Sequence, residues 1–460
     1  MDLVKQHVTR AREAFDEGIT KPRTWRLEQL RALDALLREN ENLIAHALKE
    51  DLGKHPTETF LTETSLVRAE IKHTIKHLKR WLAPSYVKPS LAVAPATAYT
   101  VLEPLGVVLI IAPWNYPLQL VLAPLVGALA AGNAAVIKPS ELAPETSRLL
   151  ASLIPAYLDE RAVKVVEGGV PETTALLEQK FDHIFYTGNA RVARIVMAAA
   201  ARNLTPVTLE LGGKSPVYVD GSVDVKVTAQ RIVWGKFINA GQTCVAPDYV
   251  LVSQDVEAEL VEQLIAAVQD LYGHDIEHNT HYGRLINDAH FDRIVGLMGP
   301  ENGRIVVGGE HNKTHKYVGP TVLVDVPHTA PLMSEEIFGP LLPVLPVADE
   351  DEAISIITSK EKPLSLYVFS EQKHVRKKFL QDTSSGAVTF GLPIAHLAIP
   401  DLPFGGVGES GVGAYHGKRS IEVFSHEKAV VSKPLSPDTL ALVYPPFHPK
   451  KLGIVRKLLG

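Results

Sequence analysis

Between residues 106 and 201 the chain alternates short apolar runs with helical runs, and this rhythm constrains its fold most strongly. Strands joined through helices pair in parallel, so the pattern predicts an α/β parallel sheet covered by helices. In such sheets ligands bind at the carboxyl ends of the strands. The predicted strands are 107–112, 134–138, 163–167 and 183–186, and the predicted helices are 118–131, 144–158, 172–179 and 190–201.

The rest of the chain divides around this unit. A length of 460 residues predicts two or three domains. Residues 2–82 are helical in pattern, and residues 84–103 combine a proline-rich break with alternating apolar positions that predict an extended arm. A second αβ series runs from about 216 to 369, and a glycine-rich run follows at 403–411.

Composition narrows the partners and the compartment. The net charge of −5, from 47 basic and 52 acidic residues, gives no electrostatic reason to expect nucleic acid as a partner. A single cysteine offers no disulfide framework and fits a reducing, cytoplasmic setting. The charged N-terminus lacks the apolar core of a signal peptide. Residues 118–137 are long and apolar enough to mimic a membrane span, but Pro124 and Gly132-Asn133 favour a buried helix followed by a strand.

The only cysteine, Cys244, lies in a polar, turn-prone segment at 235–245. It must serve either packing or reactivity. The local sequence alone leaves burial of an inert thiol as the stronger interpretation, and the surrounding Gly, amide and Thr residues argue for a reactive one. Thr243 immediately precedes it.

Two polar clusters follow the first two strands of the parallel unit. Asn115, braced between two prolines and followed by Tyr116, could offer its amide to an oxyanion, although a simple rigid turn explains it as well. Lys138 and Glu141 could contact the phosphate or ribose of a nucleotide. The alternative is a helix N-terminus with Ser140 as its cap and Glu141 complementing the helix dipole, and the two interpretations are compatible.

Three further clusters follow in the chain. Thr187-Gly188-Asn189 opens a glycine-containing turn between a strand and a helix, which could present amides to a diphosphate. Glu210 sits in an apolar strand before Leu211 and two glycines, so its pKa is expected to be raised, as a general base requires; a solvated glutamate is the alternative. Glu336 and Phe338 form an acidic and aromatic turn, or else a surface glutamate and a core phenylalanine.

Two groups of histidines predict no site. His274, His278 and His281 lie near acidic residues in a polar loop, and we interpret them as loop residues and not as metal ligands. His73 and His77 are four residues apart in a lysine-rich helix, which predicts a solvated helix face.

Seven motifs together resemble the aldehyde dehydrogenase superfamily, in that family's order. They are PWN, KPSE, the glycine-containing turn, LELGGKSP, GQTC, EEIFGP and PFGG, and they span Asn115 to Gly406. The segment from Pro206 to Pro216 and the run that begins at Tyr415 resemble the class 3 branch, whose members act on medium-chain, fatty and aromatic aldehydes.

The resemblance implies a role for each candidate. Cys244 would attack the aldehyde carbonyl, Asn115 and the Cys244 amide would hold the alkoxide, and Glu210 would activate the water that hydrolyses the thioester. The cofactor would be NAD, with NADP as an alternative, because Glu141 would repel a 2′-phosphate. Tyr116 and Thr243 would contact the substrate. The implied cofactor residues are Lys138, Ser140, Glu141, Thr187, Gly188, Asn189, Leu211, Glu336 and Phe338.

The resemblance also implies an organisation. Residues 1–83 and 104–209 would form a Rossmann-type NAD-binding domain and residues 210–390 a second α/β, catalytic domain. Residues 84–103, with about 391–430, would form an oligomerisation arm and imply a homodimer. Residues 431–460 would form a basic C-terminal tail, too short and charged to span a membrane but able to touch a membrane surface.

Three departures from the family pattern affect specificity more than chemistry. They are Ala193, Gly391 and Glu409, at positions where the family usually has Gly, Asn and Asn. Three rival functions stay open. A CoA-acylating dehydrogenase would transfer the acyl group to CoA, a silent binding protein would not react, and a cysteine hydrolase would leave the nucleotide motifs unexplained.

Overall fold

The computed structural model describes residues 2–459. Its strands are β1 (Ser85–Val87), β2 (Thr97–Pro104), β3 (Val107–Ile111), β4 (Ala134–Lys138), β5 (Val163–Val165), β6 (His183–Thr187), β7 (Val207–Glu210), β8 (Pro216–Val219), β9 (Tyr249–Ser253), β10 (Arg304–Val307), β11 (His311–Asn312), β12 (Tyr317–Val318), β13 (Thr321–Val324), β14 (Leu341–Val347), β15 (Ser365–Phe369), β16 (Ala387–Phe390), β17 (Gly411–Val412) and β18 (Ser425–Ser432).

The α-helices cover the sheets and form the N-terminal region. They are α1 (Asp2–Asp16), α2 (Arg23–Glu39), α3 (Glu41–Leu52), α4 (Pro56–Thr59), α5 (Ser65–Trp81), α6 (Gln119–Ala131), α7 (Pro144–Tyr157), α8 (Val170–Leu177), α9 (Ala190–Ala201), α10 (Val225–Phe237), α11 (Glu257–Tyr272), α12 (Asp288–Gly296), α13 (Glu350–Thr358), α14 (Lys373–Asp382), α15 (Gly417–Val423) and α16 (Pro449–Leu459).

A six-stranded sheet has the order β17-β7-β6-β3-β4-β5. All its pairs are parallel except β17 with β7. The chain moves from β3 outward to β4 and β5 and then returns to β6 and β7 on the other side. This reversal leaves a crevice at the carboxyl ends of β3 and β6, the usual ligand site of an open α/β sheet. The α/β prediction for residues 106–201 is confirmed.

The longest apolar run folds as a strand-flanked helix of this layer. Helix α6 is buried from Leu120 to Ala131, tolerates Pro124 in its interior, and ends at Gly132, which adopts a left-handed φ of 92°. Asn133 then donates its side-chain amide to two backbone carbonyls as the chain enters β4. Within residues 2–459, the structure has no helix that is both long and apolar enough to cross a membrane.

A second, seven-stranded sheet has the order β10-β13-β14-β9-β8-β15-β16. It is parallel apart from the β10–β13 pair at its edge. Its buried side chains form a hydrophobic core separate from that of the six-stranded sheet. Cys244, between α10 and β9, packs against the core of the six-stranded sheet although its flanking elements belong to the seven-stranded one.

A three-stranded antiparallel sheet combines β1, β2 and β18. Residues 425–432 therefore pair with the arm predicted at 84–103, whereas Gly411–Val412 pairs with β7 of the six-stranded sheet. The proposed division into domains, with its boundaries, stays a prediction. Gly460, the last residue of the predicted tail, lies outside the described residues.

Candidate active site

Cys244 follows a tightly folded loop that joins α10 to β9. A short 3-10 segment at Ile238–Gly241 contains two non-glycine residues in the left-handed region, Asn239 at φ 53° and Ala240 at φ 51°. Gly241 has φ 74°, and a Cβ there would clash with the Gly339 carbonyl. Such conformations persist only where the surroundings enforce them, and they concentrate at functional sites. The loop thus fixes the backbone immediately before the cysteine.

Cys244 is partly exposed as a residue, although it packs against the core of the six-stranded sheet. Burial of its surroundings, with the charges of Glu336 and Glu210, raises the pKa of the thiol to about 12. The amides of Cys244 and Val245 act in the opposite direction through hydrogen bonds to the sulfur. The resting group is therefore a neutral thiol whose nearest acidic neighbours are two of the predicted site residues.

Glu210 ends β7 and is only 2 % exposed. Among the described residues, neither of its carboxylate oxygens has a hydrogen-bond partner, and burial raises the pKa of the group well above its ordinary value. An unpaired buried carboxyl of this kind is an effective proton acceptor once a substrate or water reaches it. The predicted rise of the pKa agrees with this geometry, and the interpretation as a solvated glutamate is wrong.

Asn115 lies in the turn between β3 and α6 and is buried. Its Nδ2 donates to the carbonyl of Gln242 at 3.1 Å, two residues before Cys244. The next residue, Tyr116, shares a 2.6 Å hydrogen bond between its hydroxyl and the Thr243 Oγ1. Burial raises the pKa of the Tyr116 hydroxyl, and the charges of Glu58 and Cys244 add to this rise. The two turns, 127 residues apart in the chain, are thus brought together at the nucleophile.

The KPSE segment lies at the carboxyl end of β4. The Lys138 ammonium donates to the Pro139 carbonyl at 2.6 Å and to Glu141 Oε2 at 3.3 Å. Glu141 is half exposed, so an acceptor for ribose hydroxyls faces solvent beside a cation. Ser140 Oγ accepts from the Leu142 amide and forms a turn.

The cap proposed for Ser140 is wrong. Helix α7 begins at Pro144, after Ala143, because proline is favoured in the first turn of a helix. The amides of its first turn instead donate to a distant carboxylate, Asp51, at 3.0 and 2.8 Å.

The glycine-containing turn at the end of β6 is only partly available to a diphosphate. Gly188 donates its amide to the Glu210 carbonyl at 3.0 Å, so that amide is already used. Asn189 caps α9 by accepting from the Val192 amide. The unpaired amides at the start of α9 and the buried, unpartnered Thr187 Oγ1 remain. Leu211 is buried and donates its amide to the Ser410 carbonyl.

Glu336 lies against the Gly212-Gly213 turn that follows Glu210, and Phe338 follows two residues later in the chain. A side chain at Gly212 would clash with the Glu336 carboxylate, which explains why glycine is needed there. Burial and the nearby Asp248 charge raise the pKa of Glu336 to about 8. Phe338, at φ 48°, is half-buried and meets Trp114 edge to face. The interpretation as a surface glutamate and a core phenylalanine is wrong.

The departures from the family pattern have local explanations. Ala193 turns its methyl into the core, away from the crevice. Gly391 has φ 71° and accepts from Arg231 through its carbonyl, and asparagine also tolerates this conformation. Glu409 forms two hydrogen bonds with Arg194 of α9, at 2.7 and 2.6 Å, and links the glycine-rich run to the turn at Gly188.

The histidine groups lie away from this site. His278 pairs with Asp275 on an exposed loop, and the part of the chain from 2 to 459 has no cluster of three or more side chains arranged to hold a metal. The solvated face predicted for His73 and His77 is wrong. Both rings are partly buried and pack on each other and on Trp81, and His73 Nε2 lies 3.0 Å from Asp401.

Sequence reasoning missed three charged residues beneath Asn115. Lys54 and Glu63 are fully buried and pair at 2.5 Å. Glu58 accepts from the Asn239 amide, and burial raises its pKa to about 7. Residues 53–64 are mostly polar, so no local pattern distinguished these three residues or indicated their contacts with residues 115 and 239.

Comparisons with known proteins agree with this geometry. Residues 2–430 match the model of the aldehyde dehydrogenase family. This chain belongs to the aldehyde dehydrogenase family. The dimeric NADP-preferring aldehyde dehydrogenase of Rattus norvegicus is 49% identical over 435 residues, which cover 95% of this chain and 96% of that protein. Family 3 member B1 of Mus musculus is 45% identical and covers 99% of this chain and 97% of that protein.

Solved structures show the same relationship. The substrate-bound aldehyde dehydrogenase AldH of Staphylococcus aureus superposes with a TM-score of 0.97, at 42% identity, and covers all of both chains. A Mycobacterium tuberculosis aldehyde dehydrogenase complexed with NAD+ superposes at 0.85, with 28% identity over 94% of this chain and 90% of that one. The predicted fold and class 3 resemblance are confirmed. The protein is an NAD(P)-dependent aldehyde dehydrogenase that oxidises an aldehyde to its carboxylic acid.

Proposed function

We propose that Cys244 is the nucleophile, Glu210 the base and Asn115 the oxyanion donor of this dehydrogenase. The observation that carries the proposal is that Asn115 and Glu210 both lie close to Cys244. Asn115 is one hydrogen bond from the loop before the cysteine, and the Glu210 charge reaches its thiol. The nucleophile, donor and base come from three separate elements, and no single local motif could gather them.

The first step transfers the thiol proton to Glu210 while the sulfur attacks the aldehyde carbon. A C–S bond forms, and the carbonyl π pair becomes an alkoxide, which the free N–H of the Asn115 amide and the Cys244 amide stabilise. The C–H bond of the adduct would break as hydride leaves for bound NAD(P)+, the acceptor that this chain's side chains lack, and the acyl group would remain on Cys244 as a thioester. Glu210 passes its proton to solvent and then takes one from the water that attacks the thioester. The C–S bond breaks, and carboxylic acid and free thiol result.

The cofactor is proposed to lie along the carboxyl ends of β4, β6 and β7. Lys138, Ser140 and Glu141 suit the adenosine ribose, and Thr187, Asn189 and the first turn of α9 suit the diphosphate. Glycine is required at Gly188 and Gly212, because a Cβ would clash with the Tyr186 hydroxyl at the first and with the Glu336 carboxylate at the second. Leu211, Glu336 and Phe338 are proposed to contact the nicotinamide end, and Glu336 lies beside the turn that follows Glu210.

NAD is proposed as the preferred cofactor, because the half-exposed Glu141 carboxylate would repel a 2′-phosphate. The rat relative is named NADP-preferring, so the two cofactors must be compared directly. We expect Glu141→Gln to raise kcat/KM for NADP relative to NAD by about ten-fold, with the exposed Glu160→Gln as a control. An unchanged ratio would show that Glu141 does not select the cofactor.

The decisive test of the reaction is Cys244→Ala. We expect it to abolish aldehyde-dependent reduction of NAD while tryptophan fluorescence still reports cofactor binding. Normal turnover would refute the proposal. Adding CoA to the wild-type assay addresses the CoA-acylating alternative, which predicts an acyl-CoA product in place of the free acid. Alkylation of the Cys244 thiol, measured with and without NAD, addresses the silent binding protein. In such a protein the thiol would stay unreactive, and NAD would not change its rate of alkylation.

The substrate is proposed to be a medium-chain, long-chain or aromatic aldehyde that contacts Tyr116 and Thr243. Their hydroxyls bond each other beside Cys244, so the ring of Tyr116 rather than its hydroxyl is left to face a substrate. A panel of aldehydes graded by chain length, each assayed with both cofactors, identifies the class. A preference for short, charged aldehydes would contradict the proposal.

The protein is proposed to be a cytoplasmic homodimer that binds no nucleic acid, joined through the sheet of β1, β2 and β18. The tail is proposed to touch membrane surfaces weakly. Helix α16 carries four basic residues together with exposed apolar ones, Leu452 and Ile454, and the exposed Phe447 lies just before it. Co-sedimentation with anionic vesicles at low salt should exceed that with neutral vesicles. Equal retention on both would show that the tail makes no electrostatic contact.

A further inference from the structure

A charged pair with no exposure lies directly under the oxyanion turn. Lys54 follows Gly53, which ends α3 in a left-handed conformation, and Glu63 lies in a π-helical segment at Phe60–Thr64. Both side chains are 0% exposed, and Lys54 Nζ lies 2.5 Å from Glu63 Oε1. The pair is therefore closed off from solvent. Single-turn π segments are rare and occur frequently at functional sites.

Stability does not explain such a pair well. Removing two charges from water costs several kcal/mol per ion, and well-packed apolar replacements are often as stable or more stable. The presence of the pair is therefore better explained by what its hydrogen bonds position than by stability. All the remaining contacts of the two side chains point to one short segment, residues 115–119.

The two side chains hold that segment from both ends. Lys54 Nζ donates to the Asn115 carbonyl at 3.0 Å and lies 3.9 Å from the centre of the Tyr116 ring. Glu63 Oε2 accepts from the amides of Leu118 and Gln119, at 3.2 and 2.8 Å, at the start of α6. The pair thus replaces the missing intrahelical partners of α6 and fixes the turn that carries Asn115.

The Asn115 carbonyl also links its turn to the loop before Cys244. Asn239 Nδ2 donates to the Asn115 carbonyl at 2.8 Å and to the Gln242 carbonyl at 3.1 Å. Asn115 Nδ2 also donates to the Gln242 carbonyl. An inverted Asn115 amide would place its oxygen against that carbonyl, so the amide orientation is fixed. One N–H of Asn115 is used, and the other is left for an oxyanion.

We infer that Lys54 and Glu63 are positioning residues for the Asn115 oxyanion donor, acting through the Asn115 carbonyl and the N-terminus of α6. This inference rests on the proposed function of Asn115. Lys54 reaches neither substrate nor cofactor, and its effect passes through the placement of Asn115. A displacement of about 1 Å at such a donor is enough to cost about a hundred-fold in rate.

The test compares two reactions that share the oxyanion but not the hydride step. One is aldehyde oxidation, and the other is hydrolysis of an activated acyl ester, p-nitrophenyl acetate. Lys54→Met keeps the length of the side chain and removes the charge. Lys54→Met/Glu63→Gln also removes the unpaired carboxylate that would otherwise destabilise the fold. Arg68→Met/Asp34→Asn removes a matched ion pair between α5 and α2, away from the site.

We expect both Lys54 variants to lower kcat by about ten- to a hundred-fold in both reactions, with KM for NAD unchanged. In an Asn115→Ala background, Lys54→Met should cause no further loss, because the donor it positions is gone. The control pair should leave both rates unchanged. Wild-type rates in folded Lys54→Met/Glu63→Gln, or an equal loss in the Asn115→Ala background, would overturn the inference.

The outcomes also separate this inference from the proposed function. If Cys244→Ala and Asn115→Ala are inactive while the Lys54 variants behave as wild type, the mechanism stands and only the positioning role fails. If Asn115→Ala retains full activity in both reactions, the oxyanion assignment fails, and the positioning role fails with it.

Discussion

Burial sets the proton affinity of each acidic residue in the site. Glu210 has no hydrogen-bond partner among the described residues, and it keeps a raised pKa because nothing nearby stabilises its charge. Glu336 also has a raised pKa, because it is buried and lies near the negative charge of Asp248. A catalytic base and a cofactor contact are thus prepared by the same physical means, the removal of water from a carboxylate.

Glu210→Gln separates acylation from deacylation if solvent can replace the carboxylate in the first proton transfer. The amide cannot accept a proton from the hydrolytic water, so the thioester should accumulate. We expect about one equivalent of reduced cofactor per subunit in a rapid burst, and then a steady-state rate lower by about 10²–10⁴-fold. Stopped-flow absorbance at 340 nm measures both phases. Loss of the burst itself would show that Glu210 is also essential for attack by the thiol.

Glu336 predicts a pH dependence of stability whose sign can be worked out. Its folded pKa, about 8, lies above the ordinary value of 4.5, so the folded state binds the extra proton between these values. Its contribution to stability is therefore full below about pH 4.5 and declines as the pH rises to about 8. We expect Glu336→Gln to flatten the decline in urea midpoint across this window. The exposed Glu335→Gln should not, and an equal change in both would refute the assignment.

Elements differ in how far the sequence determines them. The alternation of strands and helices from β3 to α9 was predictable because each element buries a local periodic pattern. The polar motifs at the ends of β4 and β7 were predictable, because charged residues there end or directly follow an apolar strand in the sequence. The Lys54–Glu63 pair and the use of the Gly188 amide were not, since their partners lie in separate elements of the fold. The start of α7 at Pro144 was predicted correctly, but its capping group was not, because the amides of its first turn donate to the distant carboxylate of Asp51.

The cysteine loop is the element most sensitive to a small change. Gly241 and Gly273 both have positive φ, 74° and 77°, but a Cβ at Gly241 meets the Gly339 carbonyl and one at Gly273 meets nothing within 4 Å. Gly273→Ala should therefore cost only the backbone strain of a conformation that favours glycine, φ 77° and ψ −163°, about 1–3 kcal/mol in the free energy of unfolding.

We expect Gly241→Ala to cost more than this and to lower kcat for aldehyde oxidation by about a hundred-fold, because the loop must move away from Gly339 and carry Cys244 with it. Urea unfolding and steady-state kinetics on both variants measure the difference. Equal stability and activity in the two variants would mean that the loop tolerates displacement, and the fixed geometry would not matter for catalysis.

At the scale of the whole molecule, the two hydrophobic cores together form the active site, and the small antiparallel sheet has a separate role. The nucleophile belongs in sequence to the seven-stranded sheet but packs on the core of the other. The site therefore exists only when both units are folded and joined. The sheet of β1, β2 and β18 supplies none of the proposed catalytic residues. Its edge strand β1 leaves apolar side chains exposed, Tyr86 at 69% and Val87 at 55%. An edge strand with exposed apolar side chains favours pairing with another chain.

The proposed dimer makes a prediction at this scale. A charge on the outer strand would be desolvated on association, so Val87→Asp should weaken the dimer by about ten-fold or more in Kd, whereas Leu380→Asp, at an equally exposed position on α14, should not. Sedimentation velocity across a concentration series measures the association. The kcat per subunit for aldehyde oxidation should stay unchanged, because Cys244, Asn115 and Glu210 all lie in one chain. An undiminished dimer in Val87→Asp would place the interface elsewhere, and activity lost with dissociation would show that the partner subunit supports the site.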